Sequence, residues 1–283
     1  FKKEGIMSHE AQISRTSPTA FLFLVDQSGS MMDKMSSGKT KAEFVSDVLN
    51  KTLMDLITRC SKSEGIRDYF DIGVLGYGHQ GVSNGFSGTL GNQVMNPISL
   101  LEQNPLRIED RKRKMDDGAG GILEVAVKFP MWFEPTANGG TPMRAALTKA
   151  AEELANWCDA HPDSYPPTIL HVTDGESNDG DPEEIANHLA QIGTNDGSVL
   201  TYNLHVSALS NSPIILPSSE HVLPDAYSKM LFRMSSELPV HLVGYAQDKG
   251  FKVSGESRGF IFNAEASDIV DFFDIGTRAS QLR

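Results

Sequence analysis

Three short segments of this 283-residue chain carry oxygen donors in patterns suited to holding a hard cation. Asp26-Gln27-Ser28-Gly29-Ser30 places a carboxylate and two hydroxyls at alternate positions, so an extended loop turns all three to one side. Gly139-Gly140-Thr141-Pro142 adds a hydroxyl where a helix is expected to begin, and Asp174-Gly175 adds a second carboxylate. A site of Asp26, Ser28, Ser30, Thr141 and Asp174 offers oxygens alone, two of the five ligands being carboxylates. Mg²⁺ selects such ligands in near-octahedral geometry and keeps several waters. Because hydroxyls are neutral, the ion would remain electrophilic and could take a carboxylate from a partner in an open position. That chemistry serves recognition.

The elements that must position these donors read as alternating strands and helices. Ala20 to Val25 is continuously apolar, as expected of a central strand covered on both faces, and Asp26 follows it directly. A helix is predicted over about Lys39 to Ser61, with Phe44, Val45, Val48, Leu49, Leu53, Leu56 and Ile57 on one stripe. A second strand runs from Tyr69 to Leu75 into the glycine-rich stretch Gly76 to Gly91. Thr141-Pro142 predicts a helix with Thr141 at the N-cap and Pro142 at the first helical position. Pro167 to Val172 is a strand ending at Thr173-Asp174-Gly175, and Asp181-Pro182 starts the next helix. A strand over Leu200 to Ala208, a helix around Tyr227 to Leu238, a strand at Gly259 to Phe262 and a helix from Ala266 complete the pattern. Alternation of this kind predicts an α/β fold, a doubly wound and mostly parallel central sheet with helices on both faces. In such sheets ligands bind outside the carboxyl ends of the strands, so the three segments are expected at one rim.

The expected organisation is a lead-in over residues 1–18 and one domain over 19–283, with insertions at about 77–138 and 240–257. The first insertion is the least regular stretch. A half-buried strand is predicted around Leu123, Val125, Val127 and Phe129, and the basic run Arg111-Lys112-Arg113-Lys114, beside Asp116 and Asp117, reads as a solvated loop. Acidic residues exceed basic ones by 37 to 25, a formal charge of −12, which argues against nucleic acid as the main partner. The run Ala20 to Val25 is too short for a signal-peptide core or a membrane span, so no membrane association is expected. Cys60 and Cys158 are too few for a disulfide framework and point to helix-face thiols in a reducing, cytoplasmic setting.

Taken together and in this order, Asp26-x-Ser28-x-Ser30, Gly139-Gly140-Thr141-Pro142 and Thr173-Asp174-Gly175 resemble the metal-ion-dependent adhesion site of von Willebrand factor type A domains. The resemblance spans about residues 19–275, and Asp26, Ser28, Ser30, Thr141 and Asp174 match all five of the family's ligand positions. It implies a Mg²⁺ site, with Mn²⁺ or Ca²⁺ as alternatives, that captures an Asp or Glu of a protein partner. The chain looks like a stand-alone intracellular bacterial form. Such forms work beside kinases, phosphatases or AAA-type ATPases, so a partner from one of those systems is the corresponding expectation. The two insertions depart from the minimal family pattern.

Other motif matches fail on context. Gly76-Tyr77-Gly78-His79-Gln80-Gly81 fits a dinucleotide fingerprint, but the residues after it are poor helix formers. Gly255-Glu256-Ser257-Arg258-Gly259 fits a hydrolase elbow, but a strand follows and no histidine comes after His241. Asp174 to Asp181 lacks the glycine and final acid of a calcium loop. His171, inside an apolar strand, reads as a core histidine, whereas Tyr77, His79, Phe86 and Trp132 are candidates for a partner-facing rim. The leading expectation is therefore a non-enzymatic binding module. A metal-dependent hydrolase needs a general base that no motif supplies, and a scaffold subunit with a vestigial metal site is the third reading.

Overall fold

The computed structural model describes residues 9–116, 122–207 and 212–278. Residues 1–8 of the expected lead-in, Asp117 beside the basic run, and Ala208 at the end of a predicted strand lie outside them. The elements follow in order: β1 (Thr19–Asp26), α1 (Lys41–Cys60), β2 (Phe70–Gly78), β3 (Gly81–Asn84), β4 (Asn96–Pro97) and α2 (Ile98–Gln103). Then come β5 (Arg107–Asp116), β6 (Ile122–Met131), α3 (Met143–Ala160), β7 (Thr168–Thr173), α4 (Glu183–Leu189) and β8 (Leu200–Val206). The chain continues through β9 (Ile214–Ile215), α5 (Ala226–Arg233), α6 (Val240–Asp248), β10 (Phe260–Ala264) and α7 (Ala266–Gly276). The result is the predicted α/β architecture.

The main sheet has the order β9-β10-β8-β7-β1-β2-β3, with β4 pairing the start of β2. The five strands from β10 to β2 are parallel, and β9, β3 and β4 are antiparallel additions at the edges. All of β1 is buried because both its faces are covered. Phe21, Phe23 and Val25 meet α1, α6 and α7 on one side, while Ala20, Leu22 and Leu24 meet α3, α4 and α5 on the other. From β1 the chain moves outward through α1 to β2. It later re-enters beside β1 as β7, from the opposite face, and winds the other way. The switch point therefore lies between the carboxyl ends of β1 and β7, where a doubly wound sheet opens a crevice.

Local chemistry fixes the ends of the helices that border this crevice. Thr40 and Glu43 form a reciprocal capping box that starts α1. The expectation for α3 needs correction. Pro142, not Thr141, occupies its N-cap position and makes no side-chain cap. Asp179 supplies the cap from another loop, its carboxylate accepting from the N–H groups of Arg144 (3.0 Å) and Ala145 (2.8 Å). The Thr141 hydroxyl is left free for other work.

The described residues of the stretch 77–138 hold more regular structure than their composition suggests. Gly76 to Gly81 ends β2 and turns into β3 with Gly78 opposite Gly81, so no helix follows and the dinucleotide reading fails. The basic run is not a loop: Arg111 to Lys114 lies within β5, paired along its length with β6. Apolar Val127 and Phe129 stand opposite Arg111 and Glu109, and the Arg111 guanidinium packs 3.8 Å from the Phe129 ring centroid. Pairing with an apolar partner strand and the Arg111–Asp47 ion pair to α1 (2.7 Å) give these charged residues a β-ribbon to join. Of the proposed rim aromatics, Tyr77, Phe86 and Trp132 are buried and only His79 is exposed. Trp132 fills a core position and donates its indole N–H to the Leu101 carbonyl at 2.7 Å.

Candidate metal centre

Parallel pairing of β1 with β7 sets Val25 beside Val172, so Asp26 and Thr173 emerge side by side at the strand ends. Backbone bonds fasten the third segment to them. Asn138 N–H donates to the Gln27 carbonyl (2.6 Å), and Gly29 N–H donates to the Gly139 carbonyl (2.9 Å). Gly139 needs its φ of +82° for this approach, and a Cβ there would stand 2.5 Å from His79. The Asn178 amide, oriented donor to acceptor, brackets the Thr141 peptide at 3.1 and 2.9 Å. Thr141 is thereby held against the same crevice.

The five candidate donors converge. Ser28 Oγ lies 3.0 Å from Ser30 Oγ, and Ser30 donates to Asp174 Oδ1 at 2.6 Å, so Ser28 must donate to Ser30. Asp26 Oδ1 accepts from Ser28 N–H (2.8 Å), and its Oδ2 accepts from Thr173 Oγ (2.8 Å). Thr141 Oγ and Ser30 Oγ both border Gly175, where an added Cβ would lie 3.7 and 3.9 Å from them. Among the described residues no cluster of three or more His, Cys, Asp or Glu side chains gathers as a metal site. The donor set is of another kind, two carboxylates completed by hydroxyls.

The donor chemistry fits a small hard dication. Neighbouring ligands of an octahedron with bonds of about 2.0–2.1 Å are roughly 2.9 Å apart, and the Ser28–Ser30 and Ser30–Asp174 separations bracket that edge. Ser28, Ser30, Thr141, Asp26 and Asp174 are the residues that would hold such an ion. Burial of Asp26 raises its pKa to about 6, against the pull of hydrogen bonds from Ser28 and Thr173. No cationic side chain hydrogen-bonds to it among the described residues.

Asp174 is different. Lys41, the first residue of α1, extends its ammonium to Asp174 Oδ2 at 2.7 Å, with the lysine side chain 6% exposed and the carboxylate fully buried. The same ammonium reaches Asp33 Oδ2 at 3.3 Å and the Ser30 carbonyl at 3.5 Å. Sequence reasoning passed over Lys41 as one more polar residue of an amphipathic helix. The available signal was its place: a cation in the first turn opposes the helix dipole and calls for a nearby anion. Tyr227 was likewise read only as a helix-face residue, yet its hydroxyl donates to the Gly175 carbonyl at 2.5 Å and secures the loop after β7.

No family model matches the chain, and no curated protein matches it in sequence. Among solved structures it is similar to proximal thread matrix protein 1 of the mussel byssus, with a TM-score of 0.50 and 14% identity over 94% of this chain and 48% of that one. The chain thus spans about half of that protein's length. It is also similar to the SpRpn10 VWA domain, with a TM-score of 0.45 and 11% identity over 93% of this chain and 98% of that one. A third likeness is to the manganese-loaded TRAP protein of Plasmodium vivax, with a TM-score of 0.34 and 16% identity over 66% of this chain and 57% of that one. At these identities the likeness is one of fold alone. No helix among the described residues is long and apolar enough to cross a membrane.

Proposed function

We propose that this chain is a protein-binding module of the von Willebrand factor type A kind. In this reading Mg²⁺, with Mn²⁺ or Ca²⁺ as alternatives, rests on Asp26, Ser28, Ser30, Thr141 and Asp174 and captures an acidic residue of a partner. The observation that carries the proposal is the charge of the buried cluster. Asp26 and Asp174 contribute two negative charges and Lys41 one positive, so ionised buried groups leave one negative charge. A dication added to them gives one net positive charge, which a partner carboxylate neutralises; its Lewis acidity supplies the open position that carboxylate would fill. The protein's own residues do the rest. Lys41 holds Asp174 in place, Thr173 and Ser28 orient Asp26, and the backbone ladder between 27–29 and 138–139 sets the loops before any ligand arrives.

Binding without turnover is the favoured reading, because Tyr227, Thr173 and His205, which border the cluster, are each engaged as donors or tied to backbone. Tyr227 donates to Gly175 and Thr173 to Asp26, while His205 Nδ1 accepts from Asn263 N–H at 3.3 Å, which leaves Nε2 carrying the hydrogen. None of them is a free base beside the ion. We further propose a cytoplasmic, bacterial setting; the two cysteines, unpaired and buried, are consistent with a reducing compartment. A kinase, phosphatase or AAA-type ATPase system is the proposed source of the acidic partner segment.

Thermal unfolding of chelator-stripped protein, with Mg²⁺, Mn²⁺ or Ca²⁺ restored, tests this. Metal at about 100 times its dissociation constant should stabilise the wild type by roughly 2.7 kcal/mol and leave Asp26→Ala unmoved. Equal responses in both proteins would remove the assigned ligands. Metal-dependent turnover of a phosphoester, lost in Asp174→Ala, would overturn the non-enzymatic reading.

A further inference from the structure

A cavity of about 790 Å³ opens directly beside the proposed metal centre, sharing Asp174 and Lys41 with it. It lies at the carboxyl ends of β8 and β10, the next two strands of the sheet beyond β7. Three features distinguish it from a surface dent. Asn263, in its wall, is only 8% exposed, yet its side-chain amide makes no hydrogen bond among the described residues. Its amide atoms open onto the cavity, and its left-handed backbone at φ 62° is one that asparagine adopts readily, so the side chain borders the space with its donor and acceptor unused. The walls are partly flat and apolar: the His205 and Phe262 rings stack 4.6 Å apart at 16°, near Ile214 and Pro224. Finally, among the described residues the carboxylates in the cavity wall are Asp33, Asp174 and Asp225 against one lysine, Lys41.

These charges decide what the cavity accepts. Lys41 already reaches three acceptors with its three N–H groups, so it has no donor left for an incoming anion. Once a dication and a captured partner carboxylate have joined Asp26, Asp174 and Lys41, Asp33 and Asp225 still leave two net negative charges there, Asp33 sharing the Lys41 ammonium with Asp174. Asp33 has 63% of its side chain exposed. We propose that the cavity is a second recognition site, which takes the lysine or arginine side chain of the partner segment whose acidic residue meets the metal. The alkyl stem lies against the apolar wall, where a guanidinium can also stack on the rings, and the cationic head meets Asp33, Asp225 and the Asn263 carbonyl oxygen. This inference rests on the proposed function and specifies its partner as a segment of mixed charge.

Acetylated peptide amides carrying Asp and Arg separated by zero to three alanines test it. They are titrated into isotope-labelled full chain with Mg²⁺ and followed by amide chemical shifts. At one spacing the Asp/Arg peptide should bind about tenfold more tightly than its Asp/norleucine counterpart and shift the amides of Asn263 and Tyr227. The double variant Asp33→Asn/Asn263→Gly, in which glycine preserves the left-handed backbone, should lose most of that gain and bind Asp/norleucine peptides as wild type does. Equal Mg²⁺-dependent binding of Arg and norleucine peptides at every spacing would overturn the cavity inference and leave the metal reading standing. Equally tight binding of Asp/Arg and Asn/Arg peptides at Asn263, unaffected by chelation, would support the cavity and overturn the metal reading. Absence of binding by every peptide would overturn both.

Discussion

Two polar clusters lie within three residues of each other along β7, and they are built on opposite principles. In the sheet interior, His171 donates from Nδ1 to Asn203 Oδ1 at 2.7 Å and accepts at Nε2 from the Tyr77 hydroxyl at 2.6 Å. Asn203 in turn donates to Ser235 Oγ (2.9 Å) and the Leu231 carbonyl (3.3 Å). Every member is neutral and satisfied, and burial drives the His171 pKa down to about 4, partly offset by the Asn203 bond. At the rim, Asp26 and the side chain of Asp174 are buried but carry charge, and burial holds Asp26 near 6 with no cationic hydrogen-bond partner among the described residues. The inner network makes the sheet specific and stable. The outer one keeps an unfavourable charge in place, which a folded protein tolerates where a ligand will use it.

Substitutions should therefore separate the two clusters. His171→Leu leaves the Tyr77 hydroxyl and the Asn203 carbonyl oxygen unpaired in the core, and denaturant unfolding should show a loss of about 3 kcal/mol. Its metal response, read as the concentration for half-maximal stabilisation, should stay within about twofold of wild type. A large change in that concentration would merge the clusters into one. Asp26→Asn should do the reverse. It removes a buried charge while keeping a hydrogen-bonding group for Ser28 and Thr173, so the metal-free protein should gain up to about 2 kcal/mol at neutral pH and lose its response to Mg²⁺. A destabilised Asp26→Asn protein would mean that Asp26 is structural.

The pH dependence sharpens the contrast further. His171 has a folded pKa of about 4, below its unfolded value, so its contribution is present above about pH 6.5 and is lost as pH falls towards 4. Asp26 has a folded pKa of about 6, above its unfolded value, so its contribution is present below about pH 4 and is lost as pH rises through 6. Between pH 7 and 4 the two slopes oppose. Metal-free Asp26→Asn should therefore lose stability with acidification more steeply than wild type, by about 1–2 kcal/mol over that range. Parallel curves would show that Asp26 does not titrate where its burial places it.

Much of this contrast was legible in the residues. Unbroken apolar runs gave the central strands, and their ends located Asp26 and Asp174, because a carboxylate is expected only where such a run stops. His171 was identified as a core residue from its apolar neighbours alone. What escaped notice depends on partners distant in sequence. Lys41 meets Asp174 from 133 residues away, and Asp179 caps a helix 34 and 35 residues before it. Of the ribbon, β6 was legible in the alternation of Leu123, Val125, Val127 and Phe129, whereas β5 escaped because it carries a run of charges, and strand propensity there comes from the apolar strand opposite. Pro142 misled in a different way, since its fit to a helix start holds whether or not Thr141 is the cap.

The pairing of β1 with β7 has a consequence for how the molecule assembles. The ribbon joins neighbours in sequence, whereas Thr173 must find Asp26 across 147 residues. Contacts of such separation close late, because the entropy of the intervening loop is lost before the contact repays it. The oxygen cluster spans that seam, so it does not exist until the loop between β1 and β7 has closed. A cation that binds there cannot nucleate folding; it slows unfolding instead, and its uptake is a signal that the seam between β1 and β7 is closed.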